Sequence, residues 1–221
     1  MNGKSGKAAE LFENLGKWLP QENDGEGVFD IPMIKREEMP EAKAWMPFSE
    51  IKGTVPDLAG IHFFIDDYRF ERVWNQPERY LERLKKAACV CAPDFSMYTN
   101  TPLALNIYNH YRKHWLARYW QLNGIKVLPT ICWTDEKSFA WCFDGEPKHA
   151  TVAVSSVGTQ KRKDEKAAFL QGYDAMMERL EPEKIIFFGK VPEECRGNII
   201  PVEPFYRKFE MAREGKSNDK G

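Results

Sequence analysis

The stretch "CVCAPDFSMYTNTPLALNIYNHYRKHWLARYWQLNGIKVLPTIC", residues 89–132, decides the fold because it reads as strand, long helix, strand. "CVCA" (89–92) is a short apolar run of strand length. From Thr101 to Gly124 the apolar residues keep helical spacing, with Thr101 at the N-cap position, Pro102 in the first turn and Asn123-Gly124 as the stop. "IKVLPTIC" (125–132) supplies the next strand. Two buried strands joined through a helix point to a parallel pair.

The same alternation extends both ways. "IHFFI" (61–65) precedes "PERYLERLKKAA" (77–88), which has Pro at a helix start and Tyr80, Leu81, Leu84 and Ala88 on one face. "TVAVS" (151–155) precedes "DEKAAFLQGYDAMMERL" (164–180), an amphipathic helix with acids in its first turn. "KIIFFG" (184–189) and "NIIPV" (198–202) complete the strands. The expected fold is α/β, a mostly parallel sheet of about six strands alternating with helices. An incomplete or irregular β/α barrel is favoured, because site-like polar residues follow nearly every strand and would meet at one mouth. An open doubly wound sheet is the alternative, since a regular barrel takes about 250 residues and this chain has 221. Residues 28–210 are read as a single α/β domain, with 28–60 as irregular structure over the core. Residues 1–27 form an N-terminal arm, weakly helical through Leu11, Phe12, Leu15, Trp18 and Leu19, or flexible, and 211–221 a disordered tail.

Composition removes several function classes. Lys and Arg number 32 against 33 for Asp and Glu, so no whole-chain field draws the protein onto nucleic acid or an anionic membrane. The longest apolar runs are about six residues, far below the roughly 20 that cross a bilayer, and the N-terminus lacks a signal-peptide core. The expectation is a cytoplasmic protein with no membrane partner. Cys89 and Cys91 are spaced C-x-C, and Cys132, Cys142 and Cys195 are scattered, which suits reduced thiols and gives no zinc spacing. His110 and His114 lie at i, i+4 without the Glu of H-E-x-x-H, so a metalloprotease is rejected. With no G-x-G-x-x-G after a strand, no nicotinamide or flavin is expected, and no G-x-S-x-G marks a serine hydrolase.

Four segments, "FFIDDYRFERVWNQPERYLERL", "PDFSMYTNTPLALNIYNHYR", "RYWQLNGIKVLPTICW" and "AVSSVGT", occur here in that order. In this the chain resembles the DUF4417 family of bacterial and phage proteins, from residue 28 to about 206. The resemblance implies a phage or mobile-element setting. It carries over no catalytic residue, because the family's function is unknown.

Loops leaving the carboxyl ends of parallel strands build sites in such folds. Asp66, Asp67 and Asp94 are the candidate catalytic acids, with Asp67 and Asp94 the candidate ligands for a divalent cation, Mg or Mn. Alternation along the strand line would put Asp66 and Asp67 on opposite sides, one facing the mouth. Ser155, Ser156, Gly158 and Thr159 form a small-residue turn before a helix, suited to phosphate, with Lys190 at the next strand end. Tyr98 and Trp133 could stack on a base or sugar, while Ser96, Asn100 and Glu203 complete the ligand-binding rim. Asn106, Asn109 and Arg112 share a helix face and are expected to hold that helix to its neighbouring loops.

The leading reading is a site for a phosphorylated ligand, nucleotide or nucleic acid, with metal-assisted hydrolysis as the chemistry. A phage or mobile-element protein that binds a host protein or small signalling molecule without chemistry is the alternative. A glycosidase-like enzyme using Asp94 and Glu203 is the third.

Overall fold

The computed structural model describes residues 17, 25–51, 55–56, 58–160 and 162–202. Most of the N-terminal arm, Glu203 and the C-terminal tail lie outside the described residues. A short antiparallel pair, β1 (Gly25–Glu26) and β2 (Ile31–Pro32), comes first. Two parallel sheets follow. The first runs β3 (Ala44–Pro47), β4 (Ala59–His62), β5 (Cys89–Cys91), β6 (Val127–Leu128), and the second β7 (Thr151–Ser155), β8 (Lys184–Phe188), β9 (Ile199–Val202).

The parallel strands are thus divided four and three rather than gathered in one six-stranded sheet. The division falls at Pro129. The run 125–132 pairs as β6 over Val127–Leu128 alone, and Pro129 has no N–H to continue the ladder. Beyond it, Ala153 donates to Pro129 O at 2.7 Å and Ile131 donates to Ala153 O at 2.9 Å, so one bridge, Thr130 with Ala153, joins the sheets. On the far side Trp45 of β3 packs edge-on against Phe188 of β8, 5.1 Å between ring centres.

Residues 28–60 are less irregular than their composition suggests. "AWMP" forms β3, an edge strand, which is where a strand can carry Pro47. Strand β4 ends at His62, short of the expected residue 65. The expected helix 77–88 is broken as well. Residues Pro77–Tyr80 make a 3-10 turn and α2 covers Leu81–Leu84, after α1 at Arg72–Asn75. Ala88 already donates to Ala59 O at 2.9 Å, so the sheet ladder claims the chain before the helix can continue.

Two long helices cover the sheets. Helix α3 (Leu103–Leu122) begins one residue after Pro102, and Thr101 is not its cap: its hydroxyl donates instead to Tyr98 O at 2.9 Å. Gly124 ends it with φ +80°, a left-handed conformation that Gly adopts without strain. Trp115, Leu116 and Trp120 pack with Ile61, Phe63 and Val90 in one core cluster. Helix α4 (Lys163–Leu180) sets Phe169, Tyr173, Met176 and Leu180 against Val152, Val154, Ile185 and Phe187 in a second. Among the described residues no helix is long and apolar enough to cross a membrane.

Candidate functional site

Because β4 ends at His62, Asp66 and Asp67 belong to the following loop and strand alternation does not govern them. Asp66 is exposed and pairs with Arg69 at 3.4 Å. Asp67 opens a 3-10 turn, and its carboxylate accepts from the Ser96 amide at 3.0 Å and the Ser96 hydroxyl at 2.7 Å. Asp67 therefore ties the loop after β4 to the P-D-F-S turn after β5.

Helix α3 fixes that turn from its other side. Asn109 donates to Ser96 O at 2.6 Å, and Asn106 donates to Tyr98 O at 2.8 Å while accepting from the Tyr98 amide. Arg112 donates to Asn109 and to Glu71, and its guanidinium lies 3.6 Å from the centre of the Phe95 ring. These three side chains hold the helix to its loops, each finding the partner that a buried polar group requires.

Asp94 stands in the middle of the clamped turn, half-buried. Burial pushes its carboxyl from 3.8 up to about 6, Asp67 nearby adds to the rise, and Lys113 and a hydrogen bond with Cys132 oppose it. Lys113 comes from the buried face of α3. It donates to Glu146 at 2.6 Å and Thr130 O at 2.9 Å, with Cys132 Sγ at 3.8 Å. Although burial works against its charge, Cys132, Glu146 and Asp94 around it hold Lys113 above the ordinary lysine value. Glu146, buried and opposed by burial too, is kept below the usual carboxylate range by Lys113 and His114.

His114 lies between two acceptors, Glu146 Oε1 and Pro32 O, each at 3.0 Å. Burial nevertheless pulls it below the usual histidine range, and a neutral ring can donate to one of them at a time. His110, held low by burial, contacts Asp144 O at 3.0 Å. The site therefore joins a buried Lys113–Glu146 ion pair to a half-buried titratable acid.

Other expected site residues are placed elsewhere or otherwise engaged. In the turn after β7, Ser156 is buried and donates to Lys190 O at 2.7 Å, Thr159 donates to Ser156 O at 3.0 Å, and Ser155 accepts from the Val157 amide at 3.2 Å. Its hydroxyls are committed to holding the turn, which Gly158 completes at φ +88°. Lys190 is exposed and serves that turn through its carbonyl. Trp133 lies against α4, 5.4 Å from Phe169 between ring centres, and a methyl group added at Gly172 would overlap its indole. Tyr98 and Asn100 are exposed.

Among the described residues no three His, Cys, Asp or Glu side chains converge as a metal would need. Asp67, one of the two expected cation ligands, is already bonded twice by Ser96. Lys113, Glu146 and Cys132 were absent from the sequence-based site. For Lys113 a signal exists: it shares a helical stripe with Asn106, His110, Ala117 and Trp120 and so faces inward. For Glu146 there is none, since its partners lie 32 and 33 residues away.

Comparison with known proteins adds kinship. The chain is 43% identical over 170 residues to the Gene 1 protein of Mycobacterium phage L5, covering 76% of this chain and 74% of that one. It is 44% identical over 159 residues to the Gene 1 protein of Mycobacterium phage D29, covering 72% of this chain and 58% of the phage protein. No solved structure matches. The family model described as "Domain of unknown function (DUF4417)" matches residues 23–206, and the chain belongs to that family.

Proposed function

We propose that the chain is an enzyme acting on a phosphorylated ligand, a nucleotide or nucleic acid, with Asp94 as the group that gives and takes a proton. The observation that carries this reading is Asp94 itself, a half-buried carboxyl pushed up to about 6 at a strand end of a parallel fold. A general acid–base works best when its pKa lies near the working pH, and perturbed acids gather at such sites. Lys113 has three partners and acts through Asp94: its fixed charge keeps that carboxyl able to ionise despite burial. Asp67 is a positioning residue, holding the turn that carries Asp94. Positive charge for a phosphate would come from exposed Lys163 and Lys190 beside the 155–159 turn. The phage relatives support a phage or mobile-element setting.

The same reading takes the two sheets as one incomplete β/α barrel. The Thr130–Ala153 bridge and the packing of Trp45 on Phe188 support it, since they link the sheets on both sides. A barrel would bring the ends of β4, β5, β7 and β8 to a single mouth.

The test is turnover of mononucleotides, cyclic nucleotides and short oligonucleotides, followed chromatographically from pH 5 to 8. Wild type is expected to release product with a rate that inflects near pH 6, and Asp94→Asn to lose about 100-fold or more. Equal turnover by Asp94→Asn, or no product from any of the three classes, overturns the reading.

A further inference from the structure

A cavity of about 260 Å³ opens where the ends of β3, β4 and β8 meet, and none of its lining residues belongs to the Asp94 cluster. That volume lies just under the roughly 300 Å³ at which pockets begin to take drug-sized ligands, so it has room for one ring system with a small substituent. Its walls are apolar and partly aromatic: Pro47, Phe64 and Phe188, with the two Phe ring centres 4.6 Å apart. Its polar groups are few. Arg69 and Ser49 offer donors, Glu50 acceptors, and His62 lines the wall.

His62 is a cavity-lining group that the fold leaves incompletely partnered. It is 5% exposed, lies against Phe188 and Phe64 with ring centres at 5.1 and 5.9 Å, and its Nδ1 is shut off from solvent without a hydrogen-bond partner. A buried polar atom without a partner costs stability, and a half-turn about Cβ–Cγ would exchange the ring edge that meets the cavity. Burial lowers the imidazole to about 4, so at neutral pH the ring presents one donor and one acceptor. An apolar slot with aromatic walls and a small set of fixed donors and acceptors suits a flat ring with polar atoms on its edge, since any such ring can stack while the polar points orient it.

We propose that this cavity is a binding site for a planar heteroaromatic ring of the nucleobase class, packed against Phe64 and Phe188 and hydrogen-bonded by His62. The inference deepens the nucleotide reading above and rests on it for the ligand's class. Its residues are separate from Asp94, so the two can fail independently.

Calorimetric titration of the full chain with adenosine, guanosine, cytidine and uridine tests it, with indole as an apolar ring of similar size. Wild type is expected to bind at least one nucleoside and to prefer it to indole. Asp94→Asn should bind that nucleoside as wild type does, even where turnover is lost. His62→Phe keeps an aromatic ring and removes both nitrogens, so it should bind about tenfold more weakly while its melting temperature stays level or rises. Absence of binding by all four nucleosides overturns the proposal. So does equal binding by wild type and His62→Phe, or equal affinity for indole, either of which would make the cavity an unselective apolar slot.

Discussion

Helices α3 and α4 have similar lengths, 20 and 18 residues, and each covers a parallel sheet, yet α3 buries a cluster of polar side chains that α4 lacks. Helix α4 buries Phe169, Tyr173, Met176 and Leu180, an apolar stripe of the kind that fastens a helix to a sheet. The first three turns of α3 bury Asn106, Asn109, His110, Arg112, Lys113 and His114, while Leu103, Leu105 and Tyr108 are exposed. Burying that many polar groups is unfavourable unless each finds a partner, and most of these do. The difference separates two jobs: α4 holds its sheet by area, whereas α3 holds loops and charges in fixed positions around Asp94.

The largest effects should come from setting the two helices side by side. Lys113→Ala leaves Glu146 buried without its cation, a loss of about 3–5 kcal/mol. Met176→Ala costs a comparable amount, about 2–5 kcal/mol, through a cavity. Urea unfolding would then separate the causes, because adding Glu146→Leu should restore much of the stability lost in Lys113→Ala and do nothing for Met176→Ala. If the double change is no better than Lys113→Ala alone, charge pairing is not what Lys113 contributes.

A smaller effect sharpens the comparison at the acid that α3 supports. Asp94 rises from 3.8 to about 6 on folding, so between those values the folded chain keeps a proton that the unfolded chain has released. Stability from this group is therefore present at low pH, declines as pH rises through about 4 to 6, and stays level above. Allowing for solvent screening of a half-buried group, Asp94→Asn should gain about 1–2 kcal/mol at pH 7.5 and little at pH 4. Unfolding midpoints at the two pH values check this, and a destabilised Asp94→Asn at pH 7.5 would count against the raised value.

The smallest effect distinguishes neighbouring acids in one loop. Asp66→Asn removes an exposed pair with Arg69 and should change stability by less than about 1 kcal/mol. It should also leave turnover unchanged, because Asp67, not Asp66, holds the Ser96 turn. A large loss on either readout would return Asp66 to the site.

Much of this division is legible in the sequence. Periodicity located both long helices, and the roles of Asn106, Asn109 and Arg112 followed from three polar residues on one face of a helix beside a turn. Strand β3 was hidden because an edge strand of four residues carrying Pro47 has too little apolar pattern to stand out from a Pro- and Lys-rich segment. The acids at 66 and 67 were misassigned to a strand line because nothing local to "IHFFI" shows that pairing stops at His62. Glu146 and His62 were missed for a different reason. Their importance comes from partners distant in the chain, or from lacking one, and no spacing rule encodes either.

The contact between Trp133 and Gly172 has a consequence for how the chain can drift. Since even one methyl group at position 172 would enter space held by the indole, the two positions are not free to change separately. A larger residue at 172 becomes permissible after 133 has shrunk, whereas the reverse order passes through a clashing intermediate. Among descendants of this sequence the pair should change in that order, a historical constraint imposed by packing.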